Sequence, residues 1–391
     1  MVAELRQLPA PDETACAHSE RLVERLQQEM AAQGGAISFA RYMELALYAP
    51  GLGYYSAGSR KFGAEGDFVT APEISSLFSR CLARQVDQVL QMTGGGVVLE
   101  VGAGSGVMAA DMLAELERLG ALPERYLILE VSADLRQRQQ MTLEQKVPGL
   151  VERVSWLERL PERPLQGVVV ANELLDALPV HCFLVGERGA QELLVTSDGQ
   201  GFQWVTGEFG SDRLAERVGA VSRGLPPGYR SEISLAVGEW VSSMAQVLGQ
   251  GVILLIDYGF PRHEYYHPQR ADGTLMCHYR HRAHPDPLIL PGLQDITAHV
   301  DFTAVAEAAL EAGLELYGYT TQAHFLLANG LDRMMEEGGD EPLAQLRLSQ
   351  QIKTLILPEE MGELFKVMGI GRGLEGRPLA GFRFHDMRGK L

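Results

Sequence analysis

The stretch Val97-Val98-Leu99-Glu100-Val101-Gly102-Ala103-Gly104-Ser105-Gly106 constrains this chain more than any other. An apolar, β-forming run feeds one acid and then three glycines at alternate positions, and the helix-compatible Val107-Met108-Ala109-Ala110-Asp111-Met112-Leu113 comes directly after. Glycine permits the positive φ of a sharp turn and lets a ligand approach the main chain. The helix start behind it offers free backbone N–H groups at the positive end of the peptide dipoles. The stretch therefore reads as strand, nucleotide-type binding turn and helix. Its spacing narrows the ligand. A dinucleotide fingerprint needs a third glycine at position 107 to pack helix on strand, and that residue is Val107. The third glycine is Gly106, giving E-x-G-x-G-x-G. This argues against a nicotinamide oxidoreductase, and an ordinary tight turn is the plainer alternative.

The E-x-G-x-G-x-G form resembles that of class I S-adenosylmethionine methyltransferases. Their cofactor has no pyrophosphate, so such a loop packs against its methionine moiety and ribose. The segments C-terminal to the turn suit an α/β fold. Tyr126-Leu127-Ile128-Leu129-Glu130-Val131 reads as a buried strand ending in an acid, Ser132 opens a helix, and Val151 to Trp156 is a weaker strand. Gly167-Val168-Val169-Val170-Ala171-Asn172-Glu173 is a strong strand, as is Gly251 to Gly259. Alternation of strand and helix implies a parallel sheet with right-handed crossovers. Ligands of such sheets sit at the carboxyl ends of the strands, where Glu100, Glu130 and Asn172-Glu173 all fall. Elsewhere the patterns predict helices over 17–32, from Ser38, from Thr70 or Pro72 through Val86, from Ser234 to Leu248 and from Asp301 to Ala312. They also predict a β-hairpin excursion at 180–230, a long loop at 260–300, a strand at Glu315–Tyr319, a mostly helical 324–368 and a terminal strand at Pro378–Phe384.

Composition limits the partners. A chain of 391 residues with 34 basic and 51 acidic side chains carries −17, which disfavours nucleic acid and anionic lipid because phosphate binding needs a basic surface. It leaves a cationic substrate or a basic protein partner, or simply a solvated surface. Cys16, Cys81, Cys182 and Cys277 are scattered, as expected of reduced thiols. The first residues hold no apolar signal core, and Glu4, Asp12, Glu13 and Glu20 are unlike a transit peptide. With no apolar run of membrane-spanning length, the expected location is the cytoplasm.

Several groups can carry chemistry. Glu130 is placed to accept two hydrogen bonds from a ribose diol, or to cap the helix beside Ser132. Asn172, Glu173 and Asp176 lie in Asn172-Glu173-Leu174-Leu175-Asp176-Ala177-Leu178-Pro179. At i and i+3 of a helical turn, Glu173 and Asp176 share a side. Neighbouring carboxylates ask for a cation, and a guanidinium fork matches them; two acids at a helix N-terminus are the alternative. Lys61 to Ser75 is a glycine-rich loop that carries Asp67, a binding residue or a turn cap. His263, His267, Cys277, His278, His281 and His284 raise a metal site, but Arg270, Arg280 and Arg282 among them would repel a cation. No metal is expected, and the loop reads as polar and substrate-facing. His299 is an acid–base candidate, and Asp301 a helix N-cap.

Together these segments resemble the MidA family, also called DUF185, whose mitochondrial members are complex I assembly factors similar to protein arginine methyltransferases. The resemblance rests on Gly51–Tyr55, Gly66–Ser75, Gly102–Gly106, Ala171–Pro179, Asp257-Tyr258-Gly259, Cys277–Arg282 and Asp295–Phe302, and spans roughly 20–385. It implies a class I, Rossmann-like, mostly parallel sheet with helices on both faces, helical additions at both ends and the hairpin insertion. The domains would be an N-terminal helical segment, 1–90, and a methyltransferase domain, 91–391. The implied cofactor is S-adenosyl-L-methionine, held by Glu100, Gly102, Gly104, Gly106, Glu130 and Asn172. The implied activity is methylation of an arginine of a protein partner, with Asp67, Glu173, Asp176 and His299 as catalytic residues. A homodimer is allowed. The competing reading is a non-catalytic assembly or binding protein that keeps the fold.

Overall fold

The computed structural model describes residues 8–56, 69–335 and 342–391. Two compact units interleave along the chain: a larger one of 69–175, 238–261 and 300–391, and a smaller one of 1–68, 176–237 and 262–299. The boundaries thus differ from the linear division at residue 90. Segments after 91 return to the smaller unit, because the hairpin excursion and the 262–299 loop pack with the N-terminal helices.

The larger unit is built on β1 (Val97–Val101), β2 (Tyr126–Leu129), β3 (Val154–Leu157), β4 (Leu165–Asn172), β5 (Leu248–Phe260), β6 (Glu315–Thr321) and β7 (Phe365–Arg372), in the order β6-β7-β5-β4-β1-β2-β3. The five strands β1 to β5 are parallel to their neighbours among themselves. β7 runs antiparallel to both β5 and β6, and the short Val300–Asp301 pairs with the end of β5. Val168 to Ala171 and Val252 to Ile256 are buried without alternation, as parallel strands covered on both faces require. Helices α1 (Ser76–Thr93), α2 (Val107–Arg118) and α3 (Ala133–Lys146) accompany the first strands. α1 buries Leu77, Phe78, Cys81, Leu82, Val86, Val89 and Leu90 in one core with Met108, Met112, Leu113 and Leu116 of α2. Each such side chain contributes roughly 1.5–3 kcal/mol by leaving water. From β1 the chain winds outward through β2 and β3, then returns to place β4 on the other side of β1. The carboxyl ends of β1 and β4 therefore flank a topological switch point, where open α/β sheets bind ligands.

The smaller unit holds a five-stranded antiparallel sheet. Ala36–Ser38, Gly189–Ser197, His181–Gly186 and Arg230–Ile233 lie in that order, and Phe202–Gly207 pairs with Gly189–Ser197. Helices Glu13–Ala32 and Phe39–Tyr48 share its core through Leu22, Leu26, Phe39, Tyr42 and Leu47. Asp12 and Ser38 cap them by accepting from Ala15 N and Arg41 N.

Several elements depart from expectation. The helix expected from Thr70 is broken: Ala71–Ile74 is a single turn, Ser75 is extended, and α1 restarts behind it with Leu77 N donating to the Ser75 hydroxyl. The 260–300 loop contains a three-stranded sheet of Met276–Tyr279, Arg282–His284 and Asp295–Thr297. The mostly helical 324–368 ends instead in β7, whose Gly369 and Gly371 mask its strand character. Pro378–Phe384 is no strand; Ala380–Phe382 forms a 3-10 turn whose Phe382 ring lies against Gly318 and Gly369.

Candidate active site

All three glycines of the turn after β1 adopt left-handed backbone: φ is +74° at Gly102, +52° at Gly104 and +81° at Gly106. Gly106 is the N-cap of α2 and closes the turn by donating to Ala103 O at 2.8 Å. A methyl group at Gly106 would come within 2.9 Å of Gln139 Cα, and one at Gly102 within 3.0 Å of Leu174 Cδ1. Glycine is needed at Gly106 twice over, for its conformation and for the approach of α3.

Glu130, one residue past β2, is 8% exposed. Its Oε1 accepts from Ser132 N at 2.8 Å and its Oε2 from Gln139 Nε2 at 3.2 Å. Burial pushes its carboxyl above the ordinary range, and these hydrogen bonds pull it back. Each carboxylate oxygen keeps acceptor capacity beyond the bond it makes, so the fixed group can take hydroxyl donors. Sequence pattern does not single out Gln139. In α3 it looks like one more polar helix residue, yet it is 0% exposed.

At the end of β4, Glu173 has φ +50°, an uncommon conformation for a side-chain-bearing residue. Its N–H donates to Ile256 O at 2.8 Å. Its Oε1 accepts from Asn172 Nδ2 at 3.1 Å and, more weakly, from Ala71 N at 3.4 Å. Asn172 Oδ1 is buried and has no hydrogen-bond partner among the described residues. The turn after Glu173 hangs on Asp257 at the end of β5, whose Oδ2 accepts from Leu174 N and Leu175 N at 3.2 and 2.9 Å. The Ala71–Ile74 turn also reaches the glycine loop, since Ser105 Oγ donates to Glu73. In the sequence, Asp257 and Glu73 are visible only as parts of matching motifs, with no role attached; their partners are distant along the chain.

Glu100 lies apart from these groups. It points into the core, 1% exposed, with Oε2 accepting from the Tyr126 hydroxyl at 2.5 Å. Burial pushes its carboxyl up to about 7, against the lowering effect of the Tyr126 bond.

Of the remaining expected residues, Asp176 and His299 belong to the smaller unit. Asp67 falls outside the described residues. Asp176 is buried in the smaller unit, its carbonyl accepting from Ala298 N at 2.9 Å. His299 N donates to Thr274 Oγ1 at 2.9 Å. In the same unit Tyr48 and Tyr55 stack with ring centroids 5.5 Å apart, and Tyr55 donates to Asp295 Oδ1 at 2.9 Å. Among the described residues no group of three or more His, Cys, Asp or Glu side chains is placed to hold a metal ion.

Comparison with known proteins decides the family. The family model described as "Putative S-adenosyl-L-methionine-dependent methyltransferase" matches residues 81–320, which include the glycine turn, Glu130 and the Asn172-Glu173 segment. The chain belongs to this methyltransferase family. It is the MidA or DUF185 family that the motifs suggest, so the chain is a class I S-adenosylmethionine-dependent methyltransferase. The methyltransferase is 30% identical to the mouse "Protein arginine methyltransferase NDUFAF7, mitochondrial", over 85% of this chain and 80% of that protein. It is 31% identical to the Drosophila melanogaster homologue, over 89% and 85%. A Burkholderia thailandensis protein of the COG1565 superfamily, described as a likely methyl transferase and crystallised with S-adenosyl-homocysteine, superposes with a TM-score of 0.94. It shares 46% identity, over 98% of this chain and all of that one. A cytoplasmic location finds no support in these relatives, since the mouse and fly proteins carry "mitochondrial" in their names. Among the described residues no helix is long and apolar enough to cross a membrane.

Proposed function

We propose that this methyltransferase modifies an arginine side chain of a protein partner. The observation that carries the reading is Glu173. Its carboxylate is held at the switch point by Asn172 and the Ala71 N–H, on a backbone at φ +50°, and the next residue, Leu174, packs against Gly102 of the glycine turn. Strained, over-determined residues of this kind cluster at functional sites. The activity in the names of the mouse and fly relatives supports arginine as the acceptor, and a net charge of −17 suits a basic partner.

The residues present fit the cofactor. The left-handed turn presents bare backbone at Gly102, Gly104 and Gly106, Glu130 offers a fixed acceptor pair, and Asn172 holds a buried carbonyl oxygen without a partner among the described residues. S-adenosylmethionine would supply an electrophilic methyl group on a sulfonium. In this reading Gly102, Gly104, Gly106, Glu130 and Asn172 hold it, and Glu100 supports the end of β1 from the core side. Displacement at a methyl carbon is in-line, so orientation is the protein's main task. Glu173 would hold and neutralise a guanidinium and aim one nitrogen, and Asp67 and Asp176 remain candidates for that chemistry from the sequence alone. Arginine is protonated at ordinary pH, so a carboxylate or His299 has to accept the proton it loses.

The test is isotopically labelled S-adenosylmethionine supplied to cells lacking the endogenous protein and expressing wild type or Glu173→Gln. The expected outcome is labelled methylarginine on a protein with wild type, reduced ~100-fold or more by the variant, whose purified form keeps cofactor affinity. Label on another residue type or on a small molecule would overturn the arginine assignment. Cofactor binding with no transfer to anything would favour the non-catalytic reading.

A further inference from the structure

We propose that Gln139 is a positioning residue for the cofactor: one buried amide fixes the distance between the glycine turn and the Glu130 carboxylate. The inference rests on Glu130 being the ribose acid. The geometry is unusually complete for a single side chain. Gln139 Nε2 donates to Gly104 O at 3.1 Å and to Glu130 Oε2 at 3.2 Å, while its Oε1 accepts from Trp156 Nε1 at 2.9 Å. An amide carries two N–H donors on one atom and acceptors on the other. An indole N–H only donates, and a carbonyl and a carboxylate only accept. The three partners therefore admit one orientation of the amide, with nitrogen toward the turn and the acid. Trp156, on β3, is the residue that sets it.

Three segments separated in sequence meet at this side chain: the turn after β1, the acid after β2 and the indole of β3. Gly106 lets α3 approach closely enough for the contact, since a methyl group there would press on Gln139 itself. Three residues further along α3, Thr142 Oγ1 donates to Ser105 O at 2.8 Å and ties the same helix to the same turn a second time. A ribose held by Glu130 and a methionine moiety held by the turn belong to one ligand. Their spacing has to be set before binding if affinity is not to be lost to reordering. Without the amide, Gly104 O and Glu130 would each lose a donor, which leaves the acid held by Ser132 N alone.

The test is calorimetric titration of the full-length protein with S-adenosylhomocysteine and with its 2′-deoxyribose analogue. Wild type is expected to prefer the ribose form, and Glu130→Ala to abolish that preference. Gln139→Leu is expected to weaken the ribose form about tenfold to a hundredfold, as for loss of a hydrogen bond to a charged group, while the deoxy form changes little. Trp156→Phe, which removes the donor that orients the amide together with part of the ring, should erode the preference part-way, and it decides the matter if Gln139→Leu fails to fold. In turnover, the KM for S-adenosylmethionine should rise with kcat preserved at saturation. Equal weakening of both ligands, or an unchanged preference in a folded variant, would overturn the role of Gln139. Preference surviving in Glu130→Ala would instead show that Glu130 is not the ribose acid, and the inference would fall with it.

Discussion

Glu100 and Glu130 are both acids at or just past an apolar strand run, and their surroundings separate them. Glu130, just past β2, accepts from Ser132 N and Gln139 Nε2. Glu100 faces Tyr126 in the core and is pushed up to about 7 from an ordinary value near 4.5. Its folded-state pKa is raised, so below about 4.5 both states are protonated and its contribution is fully favourable. That contribution is lost as pH rises from about 4.5 through about 7. Glu100→Gln should therefore raise the melting temperature more at pH 8 than at pH 5, with cofactor affinity changed little. A larger gain at pH 5, or a loss at both, would contradict this account of the buried carboxyl. The motif makes Glu100 legible as a residue of interest, but only the register of β1 against β2, which places it near Tyr126, shows that it points inward.

At the scale of elements, the glycine turn and α3 form one device. Gly106→Ala introduces a side chain at φ +81° and against Gln139 Cα. It should cost about 2–3 kcal/mol and weaken cofactor binding further, readable by denaturant titration and calorimetry together. A second device joins α1 to α2. Glu115 lies in the core with Arg80 at 3.0 Å, Arg84 at 3.2 Å and Arg118 at 2.6 Å around it. Burial pushes this carboxyl up, but the three guanidinium groups together outweigh it and hold it at about 2. A depressed folded pKa stabilises above the ordinary value near 4.5 and loses that contribution as pH falls toward 2. Glu115→Gln should flatten the acid side of the stability profile between those values; an unchanged slope would contradict it. The strands β1, β2 and β4 can be read directly from sequence because parallel, doubly covered strands are continuous apolar runs. β7 cannot, since its glycines interrupt the run and its partners lie over 100 residues away in β5 and about 50 in β6.

For the whole molecule, the interleaving of the two units along the chain is the hardest feature to read from sequence. The groups proposed to hold the cofactor, Gly102, Gly104, Gly106, Glu130 and Asn172, come with Glu173 from one stretch of chain and belong to the larger unit. Local pattern is enough to nominate them. Asp176 and His299 belong to the smaller unit, which is assembled from three separate stretches. Its five-stranded sheet recruits Ala36–Ser38 to a strand some 160 residues away, a pairing that no local periodicity encodes. The roles of Gln139, Asp257 and Glu73 escape the sequence for the same reason: each acts through a partner that only the fold brings near. The most direct measurement of the central claim is calorimetric titration of the purified protein with S-adenosylmethionine and NAD, in wild type and Glu130→Ala. Wild type is predicted to bind S-adenosylmethionine and not NAD, and Glu130→Ala to bind it at least about tenfold more weakly while staying folded. Binding undiminished in Glu130→Ala, or NAD bound in preference, would contradict it.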